Sequence, residues 1–106
     1  MTKKPRARTE RRERERAAGK LVRDLARLAE LEPGGAADRP IEVPSSSVIA
    51  VRARAKPCPL CGGALRLDEE TAERVDGRSL RAAHVTCMRC GVARRLWFRL
   101  GSPLAS

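Results

Sequence analysis

Two short motifs restrict this chain more than anything else in it: Cys58-Pro59-Leu60-Cys61-Gly62 and Cys87-Met88-Arg89-Cys90-Gly91. Each is a Cys-x-x-Cys pair followed by glycine. Two residues between thiolates let one tight turn aim both sulfurs at a single ion at roughly 2.3 Å, and the glycine tolerates the positive φ that such a turn tends to require. Two turns of this kind complete a tetrahedron of soft ligands. Such a set suits zinc and leaves no coordination position for water, so the metal has a structural and not a catalytic role. The expectation is one structural Zn2+ held by Cys58, Cys61, Cys87 and Cys90. A sulfur cage of this kind also suits iron. Two further readings remain open, a dithiol redox switch, since a Cys-x-x-Cys motif can lower a thiol pKa, and four reduced, unliganded cysteines. The duplicated knuckle with its glycines favours metal over both.

The rest of the composition explains why a metal staple is useful. A chain of 106 residues buries proportionally little of its surface. Its hydrophobic content leans on alanine, and its aromatics are Trp97 and Phe98 alone, so a large apolar core is out of reach. The formal net charge is +10, with both ends basic and only the stretch between them acidic. That balance favours polyanionic partners, because Lys and Arg can replace condensed counterions. Arg far outnumbers Lys, a bias that GC-rich coding also produces. The charged start is followed by no apolar stretch and no run approaches membrane-spanning length, so neither a secretory signal nor a membrane partner is expected. The expected compartment is the cytoplasm, where close cysteine pairs hold metal more often than they form disulfides.

Along the chain, residues 5–18 are polar all round, with Glu10 four residues before Arg14. Leu21, Val22, Leu25, Leu28 and Ala29 then form a narrow apolar stripe on one helical face, and Pro33-Gly34-Gly35 ends the helix at Glu32. Gly19 costs up to about 1 kcal/mol relative to Ala in a helix interior, so the charged part before it is expected to fray. Residues 33–47 have no period and read as a flexible linker, although Ile41-Glu42-Val43 has the composition to pack briefly. From Ser47 the period is two: Ile49, Val51, Ala53 and Ala55 alternate with Arg52, Arg54 and Lys56, which predicts a strand leading into the first knuckle. Leu65 and Leu67 begin a hairpin whose tip is Asp76-Gly77, and Leu80–Thr86 and Val92–Leu100 supply two further strands.

Residues Pro57 to Leu100 resemble a zinc ribbon: two Cys-x-x-Cys-Gly knuckles joined by a hairpin and followed by a strand that carries an aromatic. The resemblance implies a small metal-stapled β fold, an antiparallel three-stranded sheet or hairpin plus strand, here preceded by one N-terminal α-helix. Zinc ribbons occur in transcription factors, RNA polymerase subunits, ribosomal proteins and many small bacterial proteins of unassigned role. The transcript-cleavage branch is similar at Cys87–Gly91 and at Trp97-Phe98. Its acidic pair at the hairpin tip has no counterpart here, where the tip is Asp76-Gly77-Arg78, so that activity is not expected. With the composition and periods above, the expected layout is a basic, partly disordered segment and amphipathic helix over 1–32, a linker over 33–47, a ribbon with leading strand over 48–100 and a tail over 101–106.

Other residues define the competing functions. His84, three residues before Cys87, could replace a cysteine as ligand, but four thiolates already satisfy zinc and it is more readily a strand residue beside Leu80 and Ala82. Asp68, Glu69, Glu70 and Glu73 have no accompanying nucleophile, so no enzyme is expected. Period two on the last strand puts Leu96, Phe98 and Leu100 on the core face, and Arg95, Trp97 and Arg99 on the other. Two guanidinium groups around an indole suit an unpaired base, stacking being worth on the order of 1–3 kcal/mol per base. Alternatively Trp97 covers the sheet and the arginines snorkel over it. Lys3, Lys4, Arg6, Arg8, Arg11 and Arg12 would add phosphate attraction. The leading expectation is a structural-zinc protein that binds nucleic acid or a transcription- or translation-associated machine. The alternatives are a protein-interaction adaptor and a zinc-release redox switch. The stripe Leu21, Val22, Leu25 and Leu28 either packs on the sheet or pairs with a second copy.

Overall fold

The computed structural model describes residues 7–101, so Lys3, Lys4 and Arg6, and the tail beyond Gly101, lie outside the described residues. Six elements follow in order: α1 (Ala7–Leu31), β1 (Ile41–Val43), α2 (Ser47–Ala55), β2 (Leu65–Val75), β3 (Arg78–Cys87) and β4 (Ala93–Leu100). The four strands make one mixed sheet in the order β1-β4-β3-β2.

Strong helix formers, Ala, Leu, Arg and Glu, dominate α1, and their summed propensity carries the helix through Gly19 without a break. The helix runs unbroken on both sides of Gly19, from Ala7 to Leu31. Glu10 pairs with Arg14 at 3.7 Å as the spacing predicts. The apolar stripe does not pack on the sheet. Ala29 is the helix's one buried residue, whereas Leu21 and Leu28 are each 58% exposed. Beyond Leu31 the chain folds back on itself, with the Gly35 N–H donating to the Glu32 carbonyl at 2.9 Å.

Residues 33–47 are not a free linker. Ile41–Val43 joins the sheet as β1, parallel to β4, with Ile41 opposite Phe98 and Val43 opposite Leu100. Two bonds outside the strand register clamp this segment further: Trp97 N–H donates to the Gly34 carbonyl at 2.8 Å and Gly101 N–H to the Val43 carbonyl at 2.8 Å. A three-residue strand has too short a pattern to register as one, and its pairing partner lies more than fifty residues away.

The leading strand expected at 49–55 is a helix, α2. Ile49 and Ala53 are fully buried and stand four residues apart, a spacing that a strand of period two and a helix of period 3.6 both satisfy. Val51 separates the two readings, since a strand would bury it and it is 67% exposed. Three alanines favour the helix, and Pro57 ends it by forcing Lys56 into extended backbone (φ −83°, ψ 134°).

The hairpin forms as read. Asp76 and Gly77 take φ values of 50° and 75°, the two positive values of a type I′ turn. Strands β2, β3 and β4 pair antiparallel in sequence order. One sheet face carries the main core: Phe98, Leu96, Val85 and Ala83 pack with Val43 and Leu65, under Ile49 and Ala53 of α2, and run continuously into Cys58 and Cys87. The other face has a smaller cluster of Leu80, Ala82 and Trp97, covered by Ala37 and Val75.

Candidate metal centre

The first knuckle leaves α2 through Pro57 and enters β2; the second connects β3 to β4. Antiparallel pairing of β2 with β3 sets Leu65 opposite Cys87, which brings the two knuckles together at one end of the sheet. Each knuckle closes with the same pair of backbone bonds. In the first, Gly62 N–H donates to the Cys58 carbonyl at 2.8 Å and Cys58 N–H to the Gly63 carbonyl at 2.9 Å. In the second, Gly91 N–H donates to the Cys87 carbonyl at 3.0 Å and Cys87 N–H to the Val92 carbonyl at 2.9 Å. Gly62 and Gly91 hold φ values of 75° and 77°, as the motif requires.

All four sulfurs converge, lying within 4.8 Å of one another. Cys58 Sγ is 3.8 Å from Cys90 Sγ, and Cys61 Sγ is 3.4 Å from Cys87 Sγ. A tetrahedron with metal–sulfur bonds of about 2.3 Å has edges of about 3.8 Å, so the spacing fits a single ion. Four thiols at these distances cannot all ionise without a cation between them. The protonation behaviour of the cluster reflects this. The Cys90 and Arg89 N–H groups pull the Cys87 thiol down to about 6, against the opposing effect of burial. Cys90 moves the other way: a bond from Val92 lowers it, but burial and the neighbouring Cys87, Cys61 and Cys58 sulfurs push it up to about 11.

The surroundings suit a charged sulfur cage. Gly63 N–H points at Cys61 Sγ at 3.4 Å, and the Arg89 and Cys90 N–H groups point at Cys87 Sγ at 3.3 Å each. Arg89 Nη1 donates to the Cys61 carbonyl at 3.3 Å, and Met88 N–H to the Ala64 carbonyl at 2.9 Å, so the second knuckle is tied to the first independently of any metal. Arg94 adds a guanidinium whose basicity is lowered by burial but supported by the charge of Cys58 and Glu32. Gly63 is a position the sequence reading missed. A Cβ there would lie 2.8 Å from Arg89 Cβ and 3.0 Å from Cys87 Sγ, so only glycine leaves room for the second knuckle. Its signal was the Gly62-Gly63 doublet, of which the conformational argument needs only the first residue.

The other candidate residues are distributed elsewhere. His84 is not in the cluster; its Nε2 lies 2.9 Å from Thr71 Oγ1 on the neighbouring strand. Asp68 is the extra residue of a β-bulge between Leu67 and Glu69. It accepts hydrogen bonds from Thr86 Oγ1 at 2.5 Å and Arg66 Nε at 2.8 Å, which hold its carboxyl below the usual value. Trp97 offers no open platform for a base. It is buried at 8% exposure against Leu80 and Ala82, and the Arg95 guanidinium covers its ring at 5.0 Å from the centroid. Arg99 is paired with Glu42 at 3.1 Å. Arg8, Arg11 and Arg12 are exposed on α1, a separate element from β4. No helix among the described residues is long and apolar enough to cross a membrane.

Compared with protein-family models, with curated proteins and with solved structures, the chain matches none of them.

Proposed function

We propose that Cys58, Cys61, Cys87 and Cys90 hold one structural Zn2+ in a zinc ribbon, and that the protein is a non-enzymatic, cytoplasmic nucleic-acid-binding module. The observation that carries the metal assignment is the convergence of four sulfurs, and no other ligand type, at the spacing of one tetrahedron. Zinc suits a closed all-sulfur set, and such a set leaves no coordination position for a water nucleophile. When bound, the ion supplies cross-linking of the two knuckles and nothing else. The nucleic-acid reading is supported by the net charge of +10 and by a surface on which basic side chains are rarely matched by acids in ion pairs.

Native mass spectrometry with metal analysis tests the first part, and one zinc per chain is the expected result. Iron, or a metal-free protein with two disulfides, rejects it. Titration with DNA or RNA at rising salt tests the second, and the expected complex weakens steeply with salt. The exposure of Leu21, Val22, Leu28 and Leu31 supports a second reading, docking of α1 on a protein partner or on a second copy. A zinc-loaded protein that ignores nucleic acid but binds another chain with little salt dependence selects that reading.

A further inference from the structure

The basic residues of α1 are not scattered around the helix. At about 100° per residue, Arg8, Arg12, Arg16, Lys20, Arg23 and Arg27 fall on one arc of about 120°. Glu13 and Asp24 flank that arc on one side and Glu15 and Val22 on the other, while Glu10, Leu21 and Leu25 lie opposite. Glu30, in the last turn, is the one acid on the arc itself. All six cations are exposed, and the three ion pairs among the described residues, Arg14–Glu10, Arg66–Asp68 and Arg99–Glu42, use none of them.

We propose that this row is a phosphate-binding face for duplex nucleic acid, read through the backbone without sequence specificity. The proposal rests on the nucleic-acid reading above and names the surface and the form of the ligand. With a rise of about 1.5 Å per residue, Arg8 and Arg27 stand about 28 Å apart along the axis, a span of about eight base pairs. Single strands are poorly served, because non-specific single-strand sites stack bases on aromatic side chains and this protein's two aromatics, Trp97 and Phe98, are both buried. A membrane surface is served no better. The side opposite the cationic row is apolar only from Leu21 onward, and in the first half of the helix it carries Arg11 and Arg14, which an interfacial helix would have to submerge.

The test uses the zinc-loaded full chain and a mixed-sequence DNA duplex of about 20 base pairs, with affinity followed between about 50 and 200 mM salt. Six phosphate contacts predict a slope of log K against log salt of about −5, and hence a loss of about a thousand-fold over that range. Arg12→Gln/Arg16→Gln should make the slope shallower by about 2, because two phosphate contacts are gone. Arg11→Gln/Arg14→Gln removes the same formal charge from the other side and should leave the slope nearly unchanged. Gln keeps helix propensity close to that of Arg, and circular dichroism verifies that α1 is retained in both variants. Equal effects of the two pairs overturn the face while leaving nucleic-acid binding intact. Tighter binding to the matching single strand overturns the duplex assignment. Binding to equimolar phosphatidylcholine–phosphatidylserine vesicles with no duplex binding overturns the nucleic-acid reading itself.

Discussion

Helix α1 and the cysteine-bearing sheet are built on opposite principles. The helix has one buried residue, Ala29, and is sustained by local propensity and i,i+4 pairing. The sheet is sustained by contacts between residues far apart in sequence: Phe98 and Ile49 in one core cluster, Val43 beside β4, and Cys58 facing Cys90. The comparison teaches that a chain poor in large apolar side chains can still build one small core from residues far apart in sequence, while others, Leu21, Leu28 and Val51 among them, stay in solvent. Its remaining length then works as exposed, charged surface.

Metal removal should separate the two regions most sharply. Structural zinc contributes apparent binding free energy of about 10–16 kcal/mol in small metallo-domains, and that energy is folding energy. Chelation, or Cys87→Ser, is expected to abolish the sheet and expose Trp97 while α1 keeps much of its helical signal. Tryptophan emission that stays blue-shifted after zinc is stripped would break the comparison, because the apolar core would then suffice alone.

Core truncation comes next. Phe98→Ala should cost about 3–5 kcal/mol in denaturant unfolding of the sheet, whereas Leu21→Ala on α1 should stay within about 0.5 kcal/mol. A large cost at Leu21 would mean that the helix face is covered in solution. Gly63→Ala pushes a methyl between the knuckles and should weaken zinc affinity by about 10- to 100-fold, measured by competition with a chelator. Wild-type affinity in that variant would show that the knuckles have slack.

The pH dependence sharpens the same point. In a metal-free chain that has lost the sheet, the four thiols return to the ordinary thiol range of about 8.5, so each must give up its proton when metal binds near neutral pH. The log of metal affinity, read by competition with a chelator, should therefore fall steeply as pH drops below about 8, and a pH-independent affinity would contradict thiolate ligation. The smallest effect is expected from Glu42→Gln, which breaks the exposed pair with Arg99 at a cost below about 1 kcal/mol.

How much could be read in advance depended on whether the causes were local. The knuckles and the Asp76-Gly77 tip were legible because both rest on backbone conformations that particular dipeptides and spacings select. The strand expected at 49–55 was misread because Ile49 and Ala53 suit either period and Val51 alone distinguishes them. Strand β1 was passed over because its stabilisation comes from β4. Trp97 was placed on the correct face of β4 and Arg95 over it as one of two readings, whereas the cover supplied by Ala37, sixty residues away, left no local signal.

The amino-acid sequence by itself determined the four cysteines that converge, the two glycine-closed knuckles, the hairpin and its tip, and the charge pattern of α1. Each follows from short-range geometry or from the identity of the side chains. Only the tertiary structure decided that residues 47–55 form a helix, that 41–43 enter the sheet, and that Trp97 is buried while Leu21 and Leu28 are not. Those outcomes depend on which apolar side chains win places in a core too small to hold them all. That competition is settled by long-range packing, which no local period encodes.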